Sequence, residues 1–316
     1  MSSDTSTIST SVCTIVPYQN GLITLKEADG KLSLLGGHIP WEKGYQEGLQ
    51  QRVREENGIE IEPYHITRIT HHKTPSGKNV VNIGSTGVIT SFPSRRNIIQ
   101  ISPAEALARK EEFRTPDVYT LISKIFSRHI VPLDFIQVTE VPSGYRTAQI
   151  PGQWGRTDFL VGSEILRYER SGNVEYAFMR CQRYNNLLSF FGGKIEEGET
   201  IEAGISRERL QESGGKMISH PLGLVGIAVN YVGMYPNQKA PFAVNIASAS
   251  LIDEKIKEVP DNVKDETSEI VWLNINDIAR MKEEEFRTPD TKLMTLRCER
   301  AYQKNLFVPF SFIEQV

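Results

Sequence analysis

Residues 189–214 read SFFGGKIEEGETIEAGISRERLQESG and contain the clearest structural pattern in the C-terminal half of the chain. Its glycines and acids recur at a spacing that builds a loop, a helix and a second loop: Gly193, five residues, Glu199, seven residues, Arg207, Glu208, then Glu212 and Gly214. No proline interrupts residues 200–213, and the positions of Glu208 and Glu212 place both carboxylates on one helical face. Two such carboxylates repel unless a cation lies between them, and Mg²⁺ binds carboxylate oxygens together with substrate phosphates. The stretch therefore predicts a site for a metal-bound pyrophosphate.

These residues resemble the box of the Nudix hydrolases, which reads Gly, five residues, Glu, seven residues, Arg-Glu-apolar-any-Glu-Glu-any-Gly-apolar. The segment keeps six of the nine specified positions and departs from the box at Arg209, Gln211 and Gly215. A strand-like stretch at 175–183 leads into the glycines, which strengthens the resemblance. The alternative interpretation of the segment is an amphipathic acidic helix that follows a glycine turn.

The resemblance implies a pyrophosphohydrolase that depends on Mg²⁺, with Mn²⁺ as a substitute. In such an enzyme Glu199, Glu208 and Glu212 would hold the metal. Arg207 would orient these acids by salt bridging. The metal would neutralise developing charge and lower the pKa of a bound water.

Three carboxylates are candidates for the general base that accepts the proton of this water: Glu208, Glu266 and Glu269. Glu266 and Glu269 precede a strand with Trp272, and this arrangement resembles the loop that supplies a metal ligand or general base in many family members. Five residues are candidates for contacts with the substrate: Gly193, Lys194, Arg183, Arg287 and Tyr231. For Arg287 the alternative is an ion pair with a neighbouring glutamate.

The chain contains two copies of one domain. The string Glu-Phe-Arg-Thr-Pro-Asp occurs at 112–117 and again at 285–290, 173 positions later, and chance does not plausibly supply such a repeat. Related apolar tails follow the two strings, at 131–136 and 308–313. A second glycine-containing box precedes the first string, with Gly37 at the position of the box glycine.

The N-terminal box, at 36–59, keeps the glycines but lacks important charges. Arg52 occupies the position that Glu208 fills in the second box, and Gln51 replaces the box arginine. Arg52 and Glu56 lie four residues apart, so their ion pair is predicted to occupy the place of the metal. We therefore expect the N-terminal copy to retain the fold without the chemistry. The alternative is a specialised second active site with displaced ligands.

The predicted fold class is α/β, because strand-like and helix-like stretches alternate in both halves. We expect two tandem Nudix-type α/β/α sandwich domains with mixed sheets, packed as an internal pseudo-dimer. A length of 316 residues suits two domains of about 100–200 residues each. The predicted divisions are a disordered tail at 1–10, a domain with the degenerate box at 11–140, a linker at 141–155 and a catalytic domain at 156–316.

The composition and net charge of the chain limit the classes of partner that it is expected to bind. The net charge of −3 gives no broad basic surface, so nucleic acid is not an expected partner. Three cysteines, far apart in the sequence, predict free thiols in a reducing compartment, and we expect a cytoplasmic protein. No apolar run is long enough to cross a bilayer, so no membrane association is expected. The expected partner is a small nucleotide substrate, and the internal pseudo-dimer leaves a monomeric state open.

The sequence favours a C-terminal domain that hydrolyses a phosphoanhydride in a nucleoside diphosphate linked to another moiety. ADP-ribose-like, NAD-like and dinucleoside polyphosphate substrates all fit this description. The main alternative is a nucleotide-binding sensor or sequestering protein, since both boxes depart from the motif at metal-facing positions. A further alternative is the removal of nucleotide caps from RNA, which the acidic composition makes less attractive.

Overall fold

A computed structural model of the chain describes residues 8–18, 21–39, 43–73, 79–91, 97–114, 131–140, 159–196, 198–235, 238–256, 258–264 and 267–315. The chain forms two compact units, of which the first comprises residues 1–136 and 311–316 and the second comprises residues 137–310. This division differs from the sequence-based one, which placed the last six residues with the C-terminal domain. The predicted linker at 141–155 lies outside the described residues.

The first unit combines helices with two sheets. Its strands and helices are β1 (Ile8–Ile15), β2 (Pro17–Tyr18), β3 (Gly21–Lys26), β4 (Leu32–Ser33), β5 (Leu35–Gly37), α1 (Gly44–Asn57), β6 (Glu60–Lys73), β7 (Asn79–Ser91), β8 (Ile98–Ile101), α2 (Pro103–Ala108) and β9 (Val131–Pro132). One sheet is mixed, because β1 pairs in parallel with β7 and antiparallel with β5. In the other sheet, β3 pairs with β2, β4 and β8. Strand β1 begins at Ile8, within the stretch 1–10 that the sequence predicts as a tail.

The second unit is built on one large mixed sheet. Its strands and helices are β10 (Ile136–Glu140), β11 (Phe159–Arg170), β12 (Asn173–Cys181), β13 (Leu187–Ser189), β14 (Phe191–Lys194), α3 (Ile201–Glu212), β15 (Ser219–Tyr235), β16 (Gln238–Ile252), β17 (Thr267–Asn274), α4 (Ile275–Arg280) and α5 (Pro289–Lys304). The strand order is β10-β15-β16-β11-β12-β13, with β14 also paired to β11 and β17 to β12. The last strand of the chain, β18 (Ile313–Gln315), pairs in parallel with β6 of the first unit.

Helices cover both faces of the sheet in the second unit. Successive residues of a strand point to opposite faces. Ile165 of β11 packs in one apolar cluster with Met294 of α5. Leu166 packs in another cluster with Met217, which follows α3. The predicted α/β/α sandwich is therefore confirmed in this unit.

Local turns follow the sequence signals. Ser171 and Gly172 join β11 to β12 with φ values of 52° and 78°, and Arg170 lies opposite Asn173 across the turn. Two positive φ values in a two-residue loop match the right-handed twist of a hairpin. This geometry agrees with the hairpin that the Ser-Gly-Asn sequence predicts.

The repeated Glu-Phe-Arg motif makes the same connection in each unit. Phe113 forms an isolated parallel bridge with Leu32 in the first unit, and Phe286 forms one with Leu188 in the second. Each phenylalanine is buried and follows a short 3₁₀ turn. The motif therefore ties a connecting segment to a strand in both copies.

Two further expectations concern the environment of the protein. The three cysteines, Cys13, Cys181 and Cys298, are buried and form no disulfide, as predicted. Within the part of the chain that the structure describes, no helix is long and apolar enough to cross a membrane.

Candidate active site

The acid-bearing helix α3 has well-defined ends. The hydroxyl of Thr200 accepts a hydrogen bond from the N–H of Ala203 at 3.1 Å and caps the first turn. At the other end, Gly214 and Gly215 have φ values of 60° and 74°, and the N–H of Gly215 donates to the carbonyl of Leu210 at 2.7 Å. This is a Schellman ending, which requires left-handed backbone. Position 215 has a glycine instead of the apolar residue of the box because its backbone is left-handed, a conformation that favours glycine.

Strand β14 brings two glycines against α3. In its register with β11, Gly192 lies opposite Ser163 and Gly193 lies opposite Gly162. A Cβ atom at Gly193 would lie 2.5 Å from Oε2 of Glu208, so the carboxylate of Glu208 lies against the glycine backbone. The absence of a side chain at Gly193 therefore makes the space that this carboxylate occupies.

Glu212 lies one turn further along α3 and binds the neighbouring glycine. Its Oε2 accepts a hydrogen bond from the N–H of Gly192 at 2.7 Å. The carboxylates of Glu208 and Glu212 thus lie against two adjacent residues of β14, Gly193 and Gly192. Both glutamate side chains are half-buried. Their one-turn spacing in the sequence predicts this neighbouring position.

These two carboxylates fit a hard divalent cation. They offer only oxygen donors, and Mg²⁺ is usually bound by one or two carboxylates together with water and substrate phosphates. No cluster of three or more His, Cys, Asp or Glu side chains suited to a metal occurs among the described residues. Glu208 and Glu212 would hold such an ion together.

Arg207 joins the acids of the box. Its Nε lies 2.6 Å from Oε1 of Glu199, and its Nη2 lies 2.9 Å from Oε2 of the same residue. Its Nη1 donates to Oε1 of Glu208 at 2.7 Å, and Nη2 also donates to the carbonyl of Lys194 at 2.9 Å. The predicted salt bridges of Arg207 are present, and they connect α3 to the loop that follows β14.

The pairing of Glu199 with Arg207 shifts both pKa values. Hydrogen bonds from Arg207 lower the pKa of Glu199 below its ordinary value, and those from Glu199 raise the pKa of Arg207. Both oxygens of Glu199 are engaged by the guanidinium. In this geometry Glu199 orients Arg207, and its direct ligation of a metal stays a prediction.

Of the two acids near Trp272, only Glu269 is described, and Glu266 lies outside the described residues. Glu269 is 61% exposed, and Arg180 donates to it through Nε at 3.1 Å. Glu269 lines an open cavity of about 760 Å³ that also involves Lys216 and Lys264. Because Lys216 closely follows α3, this polar cavity adjoins the C-terminal end of the acidic helix.

The remaining substrate-contact candidates have varied surroundings. Arg287 stacks on the ring of Tyr184, with Cζ 4.0 Å from the ring centre, and Nη2 donates to the tyrosine hydroxyl at 3.0 Å. Lys194 has an exposed side chain at the end of β14. The backbones of Arg183 and Tyr231 lie in a 3₁₀ turn and in β15, and their side chains are outside the described set.

One buried pair beside the site was missed by the sequence reasoning. Arg209, at an apolar position of the box, makes an ion pair with Glu164 of β11. In the sequence, each of the two residues by itself is a charged side chain at a position where an apolar side chain is expected. The signal that could have revealed the pair is their opposite sign, since a buried charge requires a partner.

The first unit has a different group at the corresponding place. A Cβ atom at Gly37 would lie 3.1 Å from Nε of Arg52, so a guanidinium lies where the second unit has the Glu208 carboxylate. Arg52 is paired with Glu56, as its sequence position predicts. Gln51 donates to Glu55 at 2.7 Å in the same turn. This helix face therefore already carries a cation of its own.

Comparisons with known proteins give a match to one domain model and several similar solved structures. Residues 165–295 match the model of the NUDIX domain. No curated protein matches the chain. The chain is similar to a solved NUDIX hydrolase from Nitrosomonas europaea, with 22% identity, 40% of this chain and 95% of that chain covered, and a TM-score of 0.38. It is also similar to the NUDIX domain of Shewanella oneidensis NrtR complexed with ADP ribose (12% identity, 51% and 99% covered, TM-score 0.34) and to an ADP-ribose pyrophosphatase from Streptococcus suis (16% identity, 38% and 94% covered, TM-score 0.30).

Proposed function

We propose that the part of the chain that matches the NUDIX domain, residues 165–295, is a nucleotide-linked pyrophosphohydrolase, and that the site on α3 cleaves its substrate with bound Mg²⁺. The substrate in this proposal is a nucleoside diphosphate linked to another moiety, and the bond broken is a phosphoanhydride. ADP-ribose, NAD-like compounds and dinucleoside polyphosphates belong to this class. Mn²⁺ is expected to replace Mg²⁺. In this proposal the second unit alone carries out the reaction. The protein is proposed to act in the cytoplasm.

The observation that carries this proposal is the placement of Glu208 and Glu212. The two carboxylates lie at adjacent glycines of β14, Gly193 and Gly192, on one face of α3. In the first unit the corresponding place holds the guanidinium of Arg52. A fixed guanidinium repels Mg²⁺, whereas two neighbouring carboxylates attract it.

The residues of the site have distinct roles in this proposal. Glu208 and Glu212 would hold the ion, which would supply charge neutralisation at the pyrophosphate and lower the pKa of a bound water. Arg207 keeps one oxygen of Glu208 in a hydrogen bond and thereby sets the orientation of that carboxylate. Glu199 in turn holds the Arg207 guanidinium.

Two described groups are candidates for the acceptor of the water proton. Glu208 is one of the two proposed metal ligands and lies against Gly193, and Glu269 lies at the polar cavity near the end of α3. Lys216 and Lys264 line the same cavity together with Glu258 and Asp261, and Lys264 pairs with Asp261. Glu266 remains a third candidate from the sequence.

A substrate panel tests the proposal. The purified protein is incubated with ADP-ribose, NAD, a dinucleoside tetraphosphate and a capped RNA, each with Mg²⁺ or Mn²⁺, and the products are identified by mass. We expect a nucleoside monophosphate from at least one of the small substrates, and no release without a divalent ion. Tight binding of a nucleotide without turnover would instead favour the sensor, and release from capped RNA alone would favour cap removal.

A further inference from the structure

The buried face of helix α3 ends at a charged residue, Arg209. Ile201, Ile205 and Arg209 lie four residues apart and all three are buried, so they form the face that packs on the sheet. Arg209 occupies a position that is apolar in the Nudix box. Its side chain is only 9% exposed, and that of its partner Glu164 is 3% exposed. Nη1 of Arg209 lies 3.1 Å from each carboxylate oxygen of Glu164.

Two hydroxyl groups complete the surroundings of this pair. Ser219 of β15 donates to Oε1 of Glu164 at 3.0 Å, and Ser250 of β16 donates to the same oxygen. Arg209 also donates to the Ser219 hydroxyl. Glu164 itself is on β11. The pair therefore joins the helix to three strands at one buried point.

This point lies beside the glycines that receive the catalytic acids. In the register of β11 with β14, Glu164 lies opposite Phe191, the residue before Gly192. Glu212 binds the N–H of Gly192, and the Glu208 carboxylate lies on the next glycine. Three charged residues of α3, Glu208, Arg209 and Glu212, thus contact one short stretch of β11 and β14.

We propose that Arg209 and Glu164 are positioning residues that hold α3 in one register against β14, so that Glu208 and Glu212 meet at a single divalent ion. This inference rests on the proposed function. Apolar packing is non-directional and tolerates small shifts, whereas a charge-assisted hydrogen bond has a defined direction. An apolar residue at 209 would fill the space without setting the position of the helix along the strand. Neither residue touches the substrate in this proposal.

The test replaces the pair with apolar residues and measures metal binding. The double variant Arg209→Met/Glu164→Leu leaves no unpaired buried charge, so its thermal stability is expected to stay near that of the wild type. We expect Mn²⁺ binding to the substrate-free protein, measured by calorimetry or by electron paramagnetic resonance, to weaken by roughly tenfold or more. The kcat is expected to fall more than KM rises. The conservative Arg209→Lys variant keeps the charge but loses the planar fork, and an intermediate loss is expected.

Arg167 supplies the matched control. It is on the same strand β11, its side chain is 3% exposed, and it pairs with Glu169 and with Glu299 of α5. These contacts lie on the opposite face of the sheet from α3. Arg167→Met is therefore expected to lower the melting temperature while leaving Mn²⁺ affinity unchanged.

The outcomes separate the two proposals. Wild-type affinity for Mn²⁺ in the double variant, or an equal loss of affinity in Arg167→Met, would overturn the positioning role while leaving the proposed function intact. If the double variant does not fold, the Arg209→Lys variant tests the positioning role instead. Unchanged Mn²⁺ binding in that variant would contradict the role. A wild-type protein that neither binds Mn²⁺ nor hydrolyses any nucleotide would refute the proposed function and this inference together.

Discussion

At the scale of single residues, the site depends on the backbone of two neighbouring glycines. The atoms nearest to a Cβ atom at Gly193 would be those of the Glu208 carboxylate, at 2.5 Å. At Gly192 it would meet the carbonyl oxygen of Gly162 at 2.1 Å, and the φ of 145° is unfavourable for other residues. The first glycine makes room for a functional group, whereas the second is required by the fold.

This contrast predicts different effects for two alanine substitutions. Gly193→Ala should displace the Glu208 carboxylate and reduce hydrolysis and Mn²⁺ binding, with little change in melting temperature because a flexible side chain can move. Gly192→Ala should lower the melting temperature by at least about 3 °C, since backbone strain of this kind costs about 1–3 kcal/mol. Thermal unfolding and metal titration of both variants check the prediction. Equal loss of stability in the two would contradict it.

The pairing of Glu199 with Arg207 predicts a dependence of stability on pH. Hydrogen bonds from Arg207 hold the pKa of Glu199 below its ordinary value of 4.5. Because the folded pKa is the lower one, the stabilisation is present above pH 4.5 and is lost as the pH falls through the lowered pKa. We therefore predict that Glu199→Gln lowers the melting temperature at pH 7 and does so much less in strongly acidic solution. The same difference in melting temperature at both pH values would count against the ion pair.

At the scale of elements, the sequence predicts α3 and its two acids but not the way the helix is anchored. The box spacing places Glu208 and Glu212 on one face because helical periodicity is a local property. The partner of Arg209 is Glu164, on another strand, and no local pattern connects them. The left-handed end at Gly215 is likewise a backbone property that the box consensus does not contain.

The helical register also predicts the effect of restoring the missing acid. Gln211 accepts a hydrogen bond from Nη1 of Arg207 at 3.2 Å, and the same nitrogen donates to Glu208. Position 211 therefore lies on the side of the helix that carries the site. Gln211→Glu should tighten Mg²⁺ binding or lower the Mg²⁺ concentration required for turnover, since it adds a carboxylate there. Superimposable Mg²⁺ titrations of the variant and the wild type would show that position 211 does not face the metal.

At the scale of the whole molecule, the sequence predicts two copies of one domain. It does not predict that the last strand of the chain belongs to the first unit. The repeated motif and the two boxes identify two copies, and the shared bridges of Phe113 and Phe286 agree with them. The short strand β18 belongs to the first unit although it follows the second copy in the chain. A three-residue strand has no periodicity to read, and its partner β6 is distant in the sequence.

This assignment predicts the effect of a short truncation. In β18, Ile313 lies opposite Ile69 of β6, and Phe312 just before it is buried. Removal of residues 311–316 should therefore increase hydrogen exchange at 66–71 in the first unit. Mn²⁺ binding at Glu208 and Glu212 should be unchanged. Hydrogen-exchange mass spectrometry with a parallel metal titration checks this, and unaltered protection of β6 would contradict the assignment.

The same substitution made in both boxes tests whether the active site lies in the second unit. Glu212 and Glu56 occupy equivalent positions, so Glu212→Gln and Glu56→Gln change the same charge on the corresponding helices α3 and α1. The measurement is kcat/KM with saturating Mg²⁺, on a substrate that the panel identifies, for variants shown to be folded. We predict that Glu212→Gln loses about a hundredfold or more, because it removes a proposed metal ligand, and that Glu56→Gln stays close to the wild type. Near-wild-type turnover in Glu212→Gln, or an equal loss in Glu56→Gln, would contradict the placement of the active site in the second unit.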